Sequence, residues 1–191
     1  MRAPPLAAAL ALFAAPIAAH ATLAVGAKAP DFQTKGALAG KQFDLKLSNA
    51  LKKGPVVLYF FPAAFTPGCT LEANQFAEAT AEFNKLGASV IGMSADPIDK
   101  LADFSVKECR NKFPVATATP AVISGYDVKM PKMSNLPAAA QEKMASMTSR
   151  TSYVIAPNGK IIFAHSDMDY KDHMKNTLAA VQQWHVAHGG H

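Results

Sequence analysis

The chain has 191 residues, half of them hydrophobic, with 19 basic and 14 acidic side chains for a formal net charge of +5. That length and composition suit a single domain with a sizeable core. The lysines are scattered rather than bunched, which reads as a mildly basic surface and excludes a nucleic-acid footprint.

In chain order, the first 21 residues read as a secretory signal peptide. Met1-Arg2 gives a positive start, Leu6 to Ile17 is almost all Ala, Leu and Phe, and Ala19-His20-Ala21 offers a small-x-small cleavage site before Thr22. An uncleaved anchor is the weaker alternative, because the run falls short of the ~20 residues that span a bilayer. No later segment reads as apolar enough to cross a membrane. The mature protein is expected to be exported to the bacterial periplasm, soluble, and charged +4 once Arg2 is gone (5 − 1). In an oxidising compartment two cysteines could form a static structural disulfide.

Residues 30 to 46 read as a β-hairpin region turning near Gly36-Ala37-Leu38-Ala39-Gly40, with Phe43 and Leu45 alternating against polar residues. The run Pro55-Val56-Val57-Leu58-Tyr59-Phe60-Phe61 is apolar without alternation and predicts a strand buried on both faces. Phe76, Ala79, Phe83 and Leu86 recur at helical spacing and predict a helix over about 70–86, closed by Gly87. A strand at 88–94 and a helix from about Pro97 to Asn111 complete a βαβα series with a parallel central pair. Strands at 151–156 and 160–165 flank Pro157-Asn158-Gly159, a strong hairpin signal, and Met174, Leu178, Val181 and Trp184 mark a last amphipathic helix. This order of elements resembles a thioredoxin-like arrangement: an α/β fold with a mixed central sheet flanked by helices.

Residues 124–149 are the least legible. Pro131 and Pro137 interrupt them, and Met130, Met133, Met144 and Met147 fall within. Met-rich stretches of exported proteins can bind copper(I), but adaptable apolar filler is the favoured reading. His185 and His188 lie one helical turn apart near the end, with no carboxylate or cysteine beside them, and a frayed terminus is expected.

Cys69 carries the chemistry. It sits where the buried strand turns into the first turn of a helix, and there free backbone N–H groups and the positive dipole end favour an anion, the reactive thiolate. Pro62, Thr66 and Cys69 form the pattern Pro-x-x-x-Thr-x-x-Cys, which resembles the peroxiredoxin (AhpC/TSA) family, and Gly68-Cys69-Thr70-x-Glu72 resembles its Q-type, or bacterioferritin-comigratory, branch. Three further segments resemble family landmarks in family order: Val25 to Phe32, Val90 to Asp96, and Arg150 to Ile155 followed by Pro157 to Ile161. The likeness covers roughly residues 25 to 182.

The resemblance implies a thiol peroxidase for hydrogen peroxide and small organic hydroperoxides, using no metal, flavin or haem, and re-reduced by a thioredoxin-like or other thiol donor. It implies that Cys69 is the nucleophile, that the Thr66 hydroxyl orients the peroxide, and that Pro62 shields the sulfur. Arg150 would set a permanent cation beside thiolate and oxygens, and Glu72 would hold Arg150 in place. Read alone, Cys69 could be an inert core thiol, Thr66 a turn former, Pro62 a strand stopper and Arg150 a surface cation; Glu72 is expected in a first helical turn on dipole grounds. Nothing marks an interface, so a monomer or weak dimer is expected.

The chain departs from the family pattern in two places, one being Phe113-Pro114-Val115-Ala116-Thr117, which is only loosely like the family's Phe-Pro-Leu-Leu-Ser. Many Q-type members carry a second cysteine five residues after the first, and here that residue is Asn74. The family then implies that Cys109 resolves the oxidised Cys69 by an intramolecular disulfide, with local unwinding of the first helix, since the Cα atoms must come within about 7 Å. A buried core thiol at Cys109 stays open as the alternative. Two other classes are also weighed. A thioredoxin-like thiol-disulfide oxidoreductase or copper-delivery protein would want a paired cysteine where Glu72 or Ala73 stands. A non-catalytic binding or holdase protein would keep the fold with an unreactive Cys69.

Overall fold

The computed structural model describes residues 22–132 and 135–189; the expected signal peptide at 1–21, Met133 and the last two residues lie outside them. A seven-stranded mixed sheet runs in the order β2 (Lys41–Lys46), β1 (Gln33–Leu38), β5 (Val115–Thr117), β4 (Ser89–Ser94), β3 (Val56–Phe60), β6 (Thr151–Ile155) and β7 (Ile161–Ser166). Next to the central strand, β4, lies β3, parallel to β4 and antiparallel to β6. All five residues of β3 are buried. The alternation, continued by Phe61 just past the strand, splits the core: Val57, Tyr59 and Phe61 enter one cluster, and Val56, Leu58 and Phe60 the other.

The first cluster is closed by α2 (Pro67–Lys85), α3 (Ile98–Lys107) and α6 (His173–Ala187), through Phe76, Phe83, Leu101, Phe104 and Val181. The second is closed by α1 (Leu47–Leu51) and α4 (Pro120–Gly125), through Leu47, Leu51 and Val122. The fully buried ones among these, such as Phe76, Phe83 and Leu101, each contribute about 1.5–3 kcal/mol. The parallel β3-α2-β4 unit and the β6–β7 (Ile161–Ser166) hairpin agree with the expected thioredoxin-like plan.

Several boundaries move for identifiable reasons. The first hairpin joins β1 (Gln33–Leu38) to β2 (Lys41–Lys46) through Ala39 and Gly40 alone, at φ 51° and 77°. Two successive positive φ values fit the tight turn whose twist matches the strands, so Gly36 lies inside β1, opposite Phe43. α2 starts at Pro67, three residues before the expected start, because proline is preorganised for the first helical position. α3 ends at Lys107 rather than Asn111: Arg110 and Asn111 are both left-handed, at φ 51° and 59°.

Strand β5 (Val115–Thr117) and the helices α1, α4 and α5 (Ala138–Ala145) have no counterpart in the sequence reading. β5 is three residues long and exists through its partners, β4 in parallel and β1 antiparallel. Met130 is buried and donates its N–H to the Met147 carbonyl at 3.2 Å, while Met144 and Met147 are half-buried, as filler should be. The carboxyl end is not frayed at His185, which lies within α6; His188 stacks on Trp184 with ring centroids 4.4 Å apart.

Candidate active site

The site forms where β3 ends. Phe61 N–H extends the pairing to the Met93 carbonyl (2.9 Å), and the chain then loops through Pro62–Thr66 into α2. Asp96, at the end of β4, holds that loop: one carboxylate oxygen accepts from Ala64 N–H and Ser94 Oγ, both at 2.7 Å, and the other from Lys100 Nζ at 2.7 Å. Thr148 Oγ1 donates to the Phe61 carbonyl at 2.7 Å. Thus anchored, the loop keeps Phe65 at φ 66°, a strained conformation for a bulky residue, with its ring edge-on to Phe104 at 5.2 Å.

Cys69 is the third residue of α2 and only 1% exposed. The first intrahelical bond runs from Thr70 N–H to the Thr66 carbonyl, leaving the N–H groups of Gly68 and Cys69 with no partner in the helix. Thr66 makes no capping bond; its hydroxyl donates to the Ala63 carbonyl at 2.9 Å. With its proton committed there, the hydroxyl oxygen offers lone pairs outward.

Antiparallel register brings in the cation. Phe60 pairs with Thr151, so the residue before β6, Arg150, emerges beside the loop that leaves β3. Arg150 is 5% exposed; Nη2 reaches Cys69 Sγ at 3.5 Å, Nη1 bonds Glu72 Oε2, and Nε donates to the Met168 carbonyl at 3.0 Å. A Cβ added at Gly68 would lie 3.3 Å from Nη2, so the guanidinium rests on the backbone of the first helical turn. Burial works against the charge, but the Glu72 carboxylate and the Cys69 sulfur hold the guanidinium proton more firmly than usual.

Glu72 lies in the second turn of α2, not the first, so the dipole does not account for it. Burial pushes its carboxyl above the usual range and Arg150 pulls the other way. Its second oxygen, Oε1, has no hydrogen-bond partner and faces His173 Nδ1 at 3.9 Å. His173, fully buried, was not visible as a site residue in the sequence. Its Nε2 is 2.9 Å from the Asp167 carbonyl, which can only accept, so Nε2 carries the proton and Nδ1 accepts from Ser152 Oγ at 2.8 Å. Burial lowers its pKa to about 4, and the ring is neutral. The segment from Asp167 to His173 therefore straps Arg150 and Glu72 from behind.

Cys109 belongs to the same core cluster as Cys69, but both are free thiols. It sits just past α3, fully buried, and burial with Glu108 beside it pushes its thiol far up. Two contacts tie this segment to α2: Asn74 Nδ2 to Glu108 Oε2 at 3.4 Å, and Arg110 Nη1 to Glu78 Oε1 at 3.1 Å. Tyr59 lies in the cluster with both cysteines, and its hydroxyl is buried without a partner. Such an orphan costs about 1–3 kcal/mol. A tyrosine in an otherwise apolar buried run was the available signal.

A buried thiol fed by a guanidinium at a helix amino end, on a thioredoxin-like fold, is the setting of peroxide-reducing cysteines. The AhpC/TSA family model matches residues 25–164, and the chain belongs to that family of thiol-dependent peroxidases. A putative peroxiredoxin of Mycobacterium tuberculosis is 34% identical over 139 residues, 72% of this chain and 84% of the relative. Peroxiredoxin Bcp of Bacillus subtilis is 30% identical over 161 residues, 84% of this chain and 96% of the relative. The crystal structure of peroxidoxin BcpB from Mycobacterium tuberculosis superposes with a TM-score of 0.69 at 30% identity, covering 83% of this chain and 96% of that one. These similarities support the Q/Bcp branch.

Proposed function

We propose that Cys69 is the peroxidatic nucleophile and that the protein reduces hydrogen peroxide and small organic hydroperoxides. The Cys69 thiolate attacks one peroxide oxygen; the O–O bond breaks, the sulfur becomes a sulfenic acid, and the other oxygen leaves as hydroxide or alkoxide and takes up a proton. Thr66 accepts the peroxide O–H through its free lone pairs, while Arg150 Nη2 and the N–H groups of Gly68 and Cys69 stabilise the growing negative charge. Glu72 orients Arg150, and Pro62, half-buried at the loop, limits water at the sulfur. Cys109 then condenses with the sulfenic acid to an intramolecular disulfide, which a thioredoxin-like thiol donor reduces. The leader at 1–21 supports export to the periplasm. A Cys-x-x-Cys oxidoreductase is disfavoured because Glu72 fills the partner position and is committed to Arg150.

The observation that carries this reading is the 3.5 Å contact of Arg150 Nη2 with Cys69 Sγ at the amino end of α2. Cys69→Ser should abolish peroxide consumption by the reduced protein. Full activity in that variant would overturn the assignment.

A further inference from the structure

Three tyrosines are fully buried, and two have partners: Tyr126 OH donates to the Pro30 carbonyl and Tyr153 OH to the Tyr126 carbonyl, each at 2.8 Å. Tyr59 OH has none. Its ring cannot swing to find one. It stacks on Phe76 with centroids 4.3 Å apart, and Phe61 lies at 5.5 Å and Phe113 at 6.0 Å. Behind it a Cβ at Gly92 would come within 2.9 Å of Cε1, Cζ and the hydroxyl oxygen, so the absence of a side chain there is what admits the phenol. A phenylalanine would fill the same space without the orphaned hydroxyl. The hydroxyl is therefore a donor fixed in position, whose partner is not among the neighbours of the reduced state.

We propose that Tyr59 is a positioning residue for the second half of the reaction, its hydroxyl donating to the Cys109 sulfur as that sulfur attacks oxidised Cys69. This rests on the reading of Cys109 as the resolving cysteine. Both sulfurs share the core cluster with Tyr59, and Arg150 already serves Cys69, whereas among the described residues no side chain donates to Cys109. In the attack an S–S bond forms, the S–O bond of the Cys69 sulfenic acid breaks, and the Cys109 proton leaves with that oxygen as water. Negative charge on the Cys109 sulfur must be carried inside an apolar cluster, where a fixed O–H donor is most effective. Burial, then Cys109, Glu72 and Cys69 nearby, holds the phenol proton well above its usual range, so Tyr59 donates throughout and does not act as a base.

The test is Tyr59→Phe, followed by rapid quench and mass measurement after one equivalent of peroxide. Oxidation of Cys69 should change by less than about twofold, while disulfide formation slows about tenfold, equivalent to about 1.4 kcal/mol in the barrier. Cys69 sulfinic acid should rise at excess peroxide, and urea resistance should be kept or increased, which a packing defect would not give. Disulfide formation at the wild-type rate in Tyr59→Phe overturns this inference and leaves the Cys109 assignment standing. Absence of any Cys69–Cys109 disulfide in wild type overturns both.

Discussion

Arg150 and Cys69 stand 81 residues apart in the chain and 3.5 Å apart at Nη2 and Sγ. The guanidinium is fixed at three points, the other two being Glu72 and the Met168 carbonyl, so its position is set before any peroxide arrives. Arg150→Ala should lower the second-order rate of Cys69 with peroxide by about 10²–10³, the usual cost of losing one preorganised donor. Arg150→Lys should recover little, since an ammonium cannot hold all three partners. Stopped-flow single-turnover kinetics measure both, and a near-wild-type rate in Arg150→Ala would remove Arg150 from the site.

The His173 ring predicts a pH dependence of stability. Its pKa is about 4 in the fold against 6.5 ordinarily, because burial favours the neutral ring. Between those values the unfolded chain binds more protons, so stability falls as pH drops from about 6.5 to about 4, by up to about 1.4 kcal/mol per unit. Urea titrations across that range should show wild type losing more stability than His173→Gln, which keeps a donor for the Asp167 carbonyl and an acceptor for Ser152. Equal slopes would exclude His173 as the source.

Cys109 is fully buried and its segment is tied to the middle of α2 through Glu108 and Arg110, so disulfide formation requires these ties beyond the end of α3 to loosen. One equivalent of peroxide should remove two hydrogens from wild type with no added oxygen, whereas Cys109→Ser should gain oxygen at Cys69. Mass measurement of the cysteine-containing peptides distinguishes them. Sulfenic or sulfinic acid at Cys69 with Cys109 still free in wild type identifies a one-cysteine enzyme.

Gly68 tests how closely Arg150 must sit. A methyl group at this position meets Nη2 at 3.3 Å and moves it by a few tenths of an ångström. Gly68→Ala should fold normally and react with peroxide more slowly by less than about tenfold, because sub-ångström displacements of a positioned group cost less than the roughly 10²-fold of a full ångström. An unchanged rate would mean that the guanidinium has slack.

Residues whose meaning is local were legible in the chain alone. The buried run of β3, the helix after Cys69 and the Asn158-Gly159 turn follow from periodicity and turn chemistry, and the Pro62, Thr66 and Cys69 spacing lies within one loop and one helical turn. The tertiary structure decided what depends on distant partners. β5 is too short to show a period and owes its existence to β1 and β4; His173 acquires its place from Glu72, Ser152 and the Asp167 carbonyl. Arg150 could be matched to a family position, but its three anchors come from α2 and from the segment after β7. The end of α3 before Cys109 goes with the left-handed Arg110 and Asn111, and that thiol is buried in the core cluster that the sheet and its covering helices close. Short-range spacing is written in the order of residues, while burial and hydrogen-bond partnership across the sheet exist only once the chain has closed on itself.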